Sequence, residues 1–171
     1  PSVSLLIIIG HVKDGIELAK EYQLPQSVMP FIQQHHGTTL VEFFYHRARK
    51  NCERIDAIEK EVHEHQYRYP GPKPRSREVA IVMLSDACES ACRAMEEPNA
   101  NRIETLVHEL AMKRLLDGQF DECDLTMREL ELMERSLVKS LLGLYHGRIQ
   151  YPSDKPAAAA TGAFPQAART A

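Results

Sequence analysis

The chain has 171 residues, of which 43% are hydrophobic, so it can form one domain with a core and is not a disordered chain. Its formal net charge is −3 and it has no long basic block, which excludes a general nucleic-acid or membrane-surface binder. We therefore expect no DNA or RNA partner, and any anionic ligand must be held by local groups.

The first residues predict a helix that begins at Ser2 or Ser4 and runs through an apolar stretch to about Val12. An Asp-Gly pair ending at Gly15 predicts a break before a further helical stretch over 16–22. The apolar run is far shorter than the roughly 20 residues of a membrane-spanning helix. Because the chain does not begin with methionine, we expect a fragment or a processed chain that is soluble as given.

A second helix is predicted to start near Pro25 and to end at Gly37. Its apolar and aromatic positions recur at spacings of three and four: Val28, Phe31, Ile32 and His35. A third helix is predicted from about Thr39, and it is expected to continue through the charged residues 53–64 as a solvated helix or mobile insert.

Residues 67–75 read YRYPGPKPR, and three prolines within five residues exclude a helix or a central strand there. A strong helix is predicted from Ser76 to about Met95. Four cysteines without a C-x-x-C pair indicate reduced thiols, as in a cytosolic protein: Cys52, Cys88, Cys92 and Cys123. We expect Cys88 and Cys92, which share a face of this helix, to pack in the core.

The next helix is predicted to be capped by Asn101 with Glu104 and to end at Gly118. A capping box from Thr126 to Glu129 begins the last long helix. The folded part is expected to span 1–152, followed by a disordered Ala/Pro-rich tail over 153–171. No segment alternates with period two, so the predicted fold class is all-α.

Two adjacent histidines, His35 and His36, stand at the predicted end of the second helix. The helix dipole favours histidine at that end, so capping alone accounts for them. Neighbours on a helix point about 100° apart, and a pair that shares one ligand must lie in a last turn beside a glycine, as this pair does. His11 is a third imidazole, in an apolar stretch where it needs a hydrogen-bond partner or a metal. Helix capping and metal binding both stay open as interpretations of these histidines.

Asp86 lies at the edge of a polar stripe on the helix after Ser76, where a solvated carboxylate is the simpler interpretation. Three imidazoles and one carboxylate would suit Fe, Mn or Zn better than Mg. The loop at 67–75 combines aromatic rings with the cations Arg68, Lys73 and Arg75, which can stack a base and neutralise a phosphate. A stiff linker between helices remains the simpler account of that composition.

Five segments together resemble one known family. In chain order over residues 5–152 they are IIIGHVKDGIELAKEY, LP with FIQQHHGTT, YRYPGPKPRSREVAIVMLSDACES, DGQFDECDLT and YHGRIQYP. They are similar to the HD-domain phosphodiesterases of the seven-transmembrane receptor type, which hydrolyse cyclic di-AMP. The resemblance implies an all-α bundle of the HD-domain type, incomplete at its N-terminus, in the cytoplasmic part of a protein of the bacterial inner membrane.

The family binds two divalent metals, usually iron or manganese, and carried onto this sequence it implies one metal at His11, His35 and His36 and another at Asp86. No catalytic residue is implied beyond a metal-bound water that attacks the phosphodiester. The family's nucleotide pocket falls on five residues here: Thr38, Tyr69, Pro70, Gly71 and Lys73.

The sequence departs from the family because nothing before His11 supplies its upstream histidine or its His-Asp pair. We therefore expect this chain alone to bind at most one metal weakly, to hydrolyse cyclic di-AMP poorly, and to need the missing N-terminal half of the domain. Two alternatives remain. One is a non-catalytic helical module that binds a nucleotide or a partner helix, and the other is an HD-type hydrolase with a different nucleotide substrate.

Overall fold

The computed structural model describes residues 2–54 and 62–146, and the regular structure in those ranges is helical. The helices are α1 (Val3–Glu21), α2 (Met29–Gln34), α3 (Glu42–Arg54), α4 (Arg77–Arg93), α5 (Ala100–Leu116) and α6 (Met127–His146). Short 3-10 turns occupy Gln26–Val28 and Glu64–Tyr67, and Leu40 forms an isolated antiparallel bridge with Arg68. The all-α class is confirmed.

Helices α4, α5 and α6 pack together and enclose the core. Buried apolar side chains form two clusters there, one with Ala80, Met83, Leu84, Ala111, Phe120, Leu130 and Met133, the other with Cys88, Cys92, Ile103, Val107 and Leu141. The cysteines are free thiols, and those of α4 are fully buried, as predicted. Burial raises the pKa of Cys88 to about 12, so this thiol is a packing group rather than a nucleophile.

Helix α1 packs on α2, and α2 packs on α4, so α2 connects the N-terminal helix to the core. The predicted break near Gly15 is wrong, because α1 is a single helix that Ser2 caps by accepting from the Leu5 N–H. A Cβ added at Gly15 would lie 3.0 Å from Cγ2 of Ile32 on α2. Glycine at this position therefore permits close helix packing rather than ending the helix.

The predicted starts of α4 and α6 are also confirmed, whereas that of α5 is displaced. Ser76 caps α4, and Thr126 forms the capping box with Glu129, whose carboxylate accepts from the Thr126 N–H at 2.8 Å. Helix α5 instead begins after Asn99, whose side chain accepts from the Arg102 N–H at 3.0 Å. The predicted cap at Asn101 is wrong by two residues, since Asn101 already lies inside the helix.

The chain after α3 falls partly outside the described ranges. The expected continuation of that helix concerns mainly residues 55–61, and the expected tail over 153–171 likewise lies outside the described residues. Residues 68–75 form neither helix nor central strand, as their prolines predict, and the Gly71-Pro72 peptide bond is cis. In the described part of the chain, each helix is too short or too polar to cross a bilayer.

Candidate metal centre and the adjoining loop

Three imidazoles meet where the end of α2 contacts the middle of α1. His11 comes from α1, and His35 and His36 come from the turn that ends α2. One ring nitrogen from each residue lies within 4.8 Å of the other two. Nε2 of His11 is 3.4 Å from Nε2 of His35. The structure therefore brings together the three histidines that the sequence singles out.

Backbone carbonyl groups determine the protonation of two of these rings. Nδ1 of His11 faces the carbonyl oxygen of Ile8, and Nδ1 of His35 lies 2.9 Å from that of Ile32. A carbonyl only accepts, so each Nδ1 carries a proton. In the neutral form of such a ring the free lone pair is on Nε2, which is an atom that can bind a metal. The Nε2 atoms of the two rings lie 3.4 Å apart.

The surroundings of His36 keep its imidazole ring neutral. Burial, together with the neighbouring His35, His11 and Arg114, lowers the pKa of His36 to about 3. Nδ1 of His36 lies 3.8 Å from Oδ2 of Asp86, which is longer than a hydrogen bond. The Asp86 side chain is 49% exposed, so this carboxylate lies at the edge of the cluster rather than within it.

The donor set fits a divalent transition metal. Neutral imidazole nitrogens bind Fe, Zn and related ions, and a nearby carboxylate adds negative charge. Nitrogens at about 2.1 Å from one ion, with a tetrahedral angle between them, are about 3.4 Å apart. The hydrogen bonds from both Nδ1 atoms to backbone carbonyls are those that orient metal-binding histidines.

Tyr69 covers one side of the histidine cluster. Its ring stacks on that of His36, with the centroids 4.3 Å apart and the planes 18° from parallel. Burial, and secondarily the Asp86 carboxylate, raises the pKa of Tyr69 to about 12, so its phenol keeps its proton. The Tyr69 N–H donates to the carbonyl of Thr39 at 3.0 Å. The loop that carries Tyr69 is therefore held against the turn that follows the histidine pair.

The cations of this loop are paired with carboxylates near the end of α5. Arg68 binds Asp117 (2.8 Å), Lys73 binds Asp121 (3.1 Å) and Arg75 binds Glu122 (3.0 Å). The hydrogen bonds that Arg68 donates to Asp117 raise the pKa of Arg68 against the effect of its partial burial. The composition of the loop suggested three cations for phosphate binding, but each of them already has a carboxylate partner within the chain.

The remaining predicted pocket residues lie along the same loop and turn. Pro70 is exposed, and Gly71 has a φ of +86°, which favours glycine. A Cβ added at Gly71 would lie 3.0 Å from Cγ2 of Thr38. Thr38 and Gly71 therefore face each other at close range beside Tyr69.

Two buried glutamines hold this region, and sequence analysis missed both. Oε1 of Gln34 accepts from the Arg75 N–H at 3.0 Å. Gln119, with no exposed surface, accepts from the Thr38 N–H at 3.0 Å and donates to the Thr38 hydroxyl at 2.9 Å. Gln119 lies in the DGQF segment, but its partner is 81 residues away, so no local pattern indicates the contact.

Comparison with known proteins places these features in one family. No protein-family model matches the chain. The cyclic-di-AMP phosphodiesterase PgpH of Listeria monocytogenes serotype 1/2a (strain 10403S) is 43% identical over 155 residues, which are 91% of this chain and 21% of that protein. The PgpH of Bacillus subtilis (strain 168) is 43% identical over 152 residues, 89% of this chain and 20% of that protein.

Solved structures agree with the sequence comparison. The crystal structure of the L. monocytogenes PgpH HD domain superposes with a TM-score of 0.74 at 40% identity, covering 84% of this chain and 64% of that one. Its complex with cyclic-di-AMP gives a TM-score of 0.76 at 42% identity, covering 86% of this chain and 66% of that one. The chain is a relative of the PgpH HD domain.

The match to PgpH is partial in length. This chain spans about a fifth of the curated PgpH proteins, with 21% and 20% covered, and 64% to 66% of the solved PgpH HD domains. The match therefore concerns one part of an HD domain. The expected HD-type helical bundle is confirmed.

Proposed function

We propose that this chain is part of a metal-dependent phosphodiesterase that hydrolyses a cyclic dinucleotide, with cyclic di-AMP as the first candidate. One observation carries the metal dependence. One ring nitrogen each from His11, His35 and His36 lies within 4.8 Å of the other two, and the Nδ1 atoms of His11 and His35 both lie against backbone carbonyls, which leaves Nε2 toward the cluster. The substrate class is supported by the names of the PgpH relatives and by the solved PgpH complex with cyclic-di-AMP.

Iron or manganese is the metal that we propose for His11, His35 and His36, with Asp86 assigned to the second metal of a complete domain. A bound divalent metal supplies positive charge that stabilises charge developing on a phosphodiester, and it acidifies water. The chain's own contribution is orientation. The carbonyls of Ile8 and Ile32 hold two rings with their Nε2 atoms toward the cluster, and Tyr69 holds the third ring by stacking.

The nucleotide pocket is proposed to lie beside this cluster, along Thr38, Tyr69, Pro70, Gly71 and Lys73. The stacking of Tyr69 on His36 and the close approach of Gly71 to Thr38 support a pre-formed surface. Since Lys73 is paired with Asp121, we assign the main attraction for a phosphate to the metal rather than to the loop.

The N-terminal half of an HD domain is the partner that we propose for α1. Large apolar side chains are exposed along this helix: Val3 (74%), Leu6 (59%) and Ile7 (68%). The exposed side of α1 also carries His11. The solved PgpH HD domains are longer than the part that matches this chain. We propose that a segment equivalent to their remaining part packs on the exposed apolar side chains of α1. We further propose that the parent protein is membrane-anchored in the bacterial inner membrane, with this domain on the cytoplasmic side.

Metal analysis tests the proposal directly. The wild-type chain should bind Mn²⁺ or Fe²⁺ in anaerobic equilibrium dialysis, and His35→Ala combined with His36→Ala should abolish this binding, because two of three nitrogen ligands are lost. His108→Ala is the matched control, since that histidine pairs with Glu134 at 2.9 Å in another part of the chain.

A non-catalytic helical module predicts the opposite result. Such a module would bind no metal, and its affinity for cyclic di-AMP would not change in the double alanine variant. Substrate profiling of the complete domain with several cyclic dinucleotides then separates cyclic di-AMP from other nucleotides.

A further inference from the structure

Almost every polar group of Thr38 has a partner within the chain. Its N–H donates to Oε1 of Gln119 at 3.0 Å, and its carbonyl accepts from Nη1 of Arg68 at 2.8 Å. Its hydroxyl oxygen accepts from Nε2 of Gln119 at 2.9 Å. Among the described residues, no acceptor takes the hydroxyl proton. Among the described residues, that proton is therefore the donor that Thr38 still offers to a ligand.

The orientation of the Gln119 amide follows from its neighbours. Because the Thr38 N–H can only donate, the atom facing it must be the amide oxygen. The amide nitrogen also faces Oδ2 of Asp117 at 2.9 Å, and this carboxylate is held ionised by Arg68. Both N–H groups of Gln119 are thus committed, one to Asp117 and one to the Thr38 hydroxyl. Reversing the amide would break the bonds to the Thr38 N–H and to Asp117, because an oxygen cannot donate to a carboxylate and an NH₂ group cannot accept from an N–H.

We propose that Gln119 is a positioning residue that makes the Thr38 hydroxyl a hydrogen-bond donor to an anionic oxygen of the ligand. The amide N–H occupies a lone pair of the hydroxyl and leaves its proton to point away from Gln119. Thr38 is half-buried, follows His36 by two residues and faces Gly71 of the loop. A phosphate oxygen is the acceptor class that fits. This inference rests on the proposed function, because it supplies the donor for that same ligand.

The test uses the full 171-residue chain with saturating Mn²⁺ and measures its affinity for cyclic di-AMP. Thr38→Val removes the hydroxyl and keeps the shape. Gln119→Glu keeps the contact with the Thr38 N–H but accepts the hydroxyl proton instead of donating to it. Each variant should weaken binding by about tenfold, the effect of one hydrogen bond to a charged group. The double variant should be no weaker than the single ones, because both act through one proton.

Three further measurements separate positioning from a general loss of structure. Thr38→Ser should restore the affinity lost in Thr38→Val. The Mn²⁺ affinity should stay within about twofold in all Thr38 variants, since the hydrogen bonds of Thr38 go to Gln119 and Arg68 rather than to the three rings. The Thr38 amide should exchange its hydrogen slowly in the wild-type chain, a result that does not depend on whether Gln119→Glu folds. Thr105→Val, on the exposed side of α5, is the matched control and should bind like wild type.

Four results overturn the inference, and they are distinct from failure of the proposed function. These are wild-type affinity in Thr38→Val, wild-type affinity in a folded Gln119→Glu, additive losses in the double variant, and fast exchange of the Thr38 amide. If the wild-type chain binds Mn²⁺ but no cyclic di-AMP, the inference also fails, whereas the proposed substrate is judged separately by profiling the complete domain.

Discussion

Gly37 shows how much one residue determines at this site. Its φ is +53°, and a Cβ there would lie 2.4 Å from Oε1 of Gln119 and 2.9 Å from Cε of Met83. The absence of a side chain therefore lets the Gln119 amide reach the Thr38 backbone. The turn that places His36 depends on glycine for both its backbone conformation and its packing.

We expect Gly37→Ala to lower the free energy of unfolding by at least about 1–3 kcal/mol, the cost of a left-handed backbone for a residue with a Cβ, with the steric overlap added. Chemical denaturation measures this loss. Gly143→Ala is the matched control, because a Cβ there meets nothing within 4 Å, and it should stabilise α6 by about 0.5–1 kcal/mol. Equal effects of the two substitutions would contradict this account of Gly37.

The residues of the candidate site differ in how far the sequence could predict them. His11, His35 and His36 stand out locally, as imidazoles in an apolar helix and before a glycine. Whether they converge depends on the packing of α1 on α2, which no local pattern contains. Gln119 gave no signal of its own, because a single glutamine in a polar segment becomes a buried hydrogen-bonding group only through a contact across the fold.

At the scale of elements, the starts of α4 and α6 could be predicted because each capping side chain bonds to backbone close to it in sequence. Ser76 and the Thr126 capping box satisfy backbone N–H groups three residues ahead, so their signal is local. For α5 the local pattern pointed to the wrong residue, because Asn101 with Glu104 has the spacing of a capping box although the helix already begins after Asn99. Gly15 misled for another reason, since its role is to admit Ile32 of a different helix.

The displaced start of α5 yields a paired prediction. Asn99→Ala should lower the free energy of unfolding by about 1 kcal/mol, because it removes the side-chain cap of the Arg102 N–H. Asn101→Ala should be neutral or raise stability by a few tenths of a kcal/mol, because alanine is the better helix former. Urea denaturation of both variants gives the comparison. If Asn101→Ala is the more destabilising of the two substitutions, Asn101 rather than Asn99 is the cap of α5.

The loop at 67–75 is joined to α5 most strongly through Arg68 and Asp117. Burial alone would raise the pKa of Asp117, but its hydrogen bonds with Arg68 and Gln119 prevail and hold that pKa below its ordinary value. A lowered carboxyl pKa contributes stability above the unfolded-state value, and the contribution is lost as the pH falls through the folded value.

Asp117→Asn should therefore be less stable than wild type at neutral pH, and the difference should narrow as the pH falls below about 4. Thermal melting across pH measures it. The same substitution in an Arg68→Met background is the control, and its pH-dependent difference should be smaller, because the partner charge is gone. A difference that stays constant with pH would show that Asp117 acts only through its shape.

At the scale of the whole molecule, the candidate metal centre spans two helices that also pack against each other, α1 and α2. His11 lies on α1, while His35 and His36 are held through α2 against α4. An ion bound to all three rings would connect the N-terminal helix to the core.

Metal should therefore stabilise the entire chain. At free Mn²⁺ of about 100 times its dissociation constant, the free energy of unfolding should rise by about 2.7 kcal/mol, because the ion binds only the folded state. Differential scanning calorimetry with and without Mn²⁺ measures the accompanying increase in Tm. The chain with His35→Ala and His36→Ala should show no increase in Tm. An equal increase in that variant would show that the ion binds at another site.

The fold class was predictable because helical periodicity, prolines and caps are all written locally in the sequence. The arrangement of the helices was available only through the resemblance of five ordered segments, since the packing of α1 on α2 and of α2 on α4 depends on side chains far apart in the chain. The cations of the loop pair with Asp117, Asp121 and Glu122 in the folded molecule. The composition of the loop alone suggests free cations and does not indicate these partners.

Those ion pairs have a consequence for how ligand binding depends on salt. A surface with free lysines and arginines binds polyanions by releasing condensed counterions, so its affinity falls steeply as salt rises. Here Arg68, Lys73 and Arg75 already have carboxylate partners, and a phosphodiester approaching the loop meets no uncompensated cation from these three. We therefore expect the affinity of an anion that contacts only this loop to depend weakly on salt concentration.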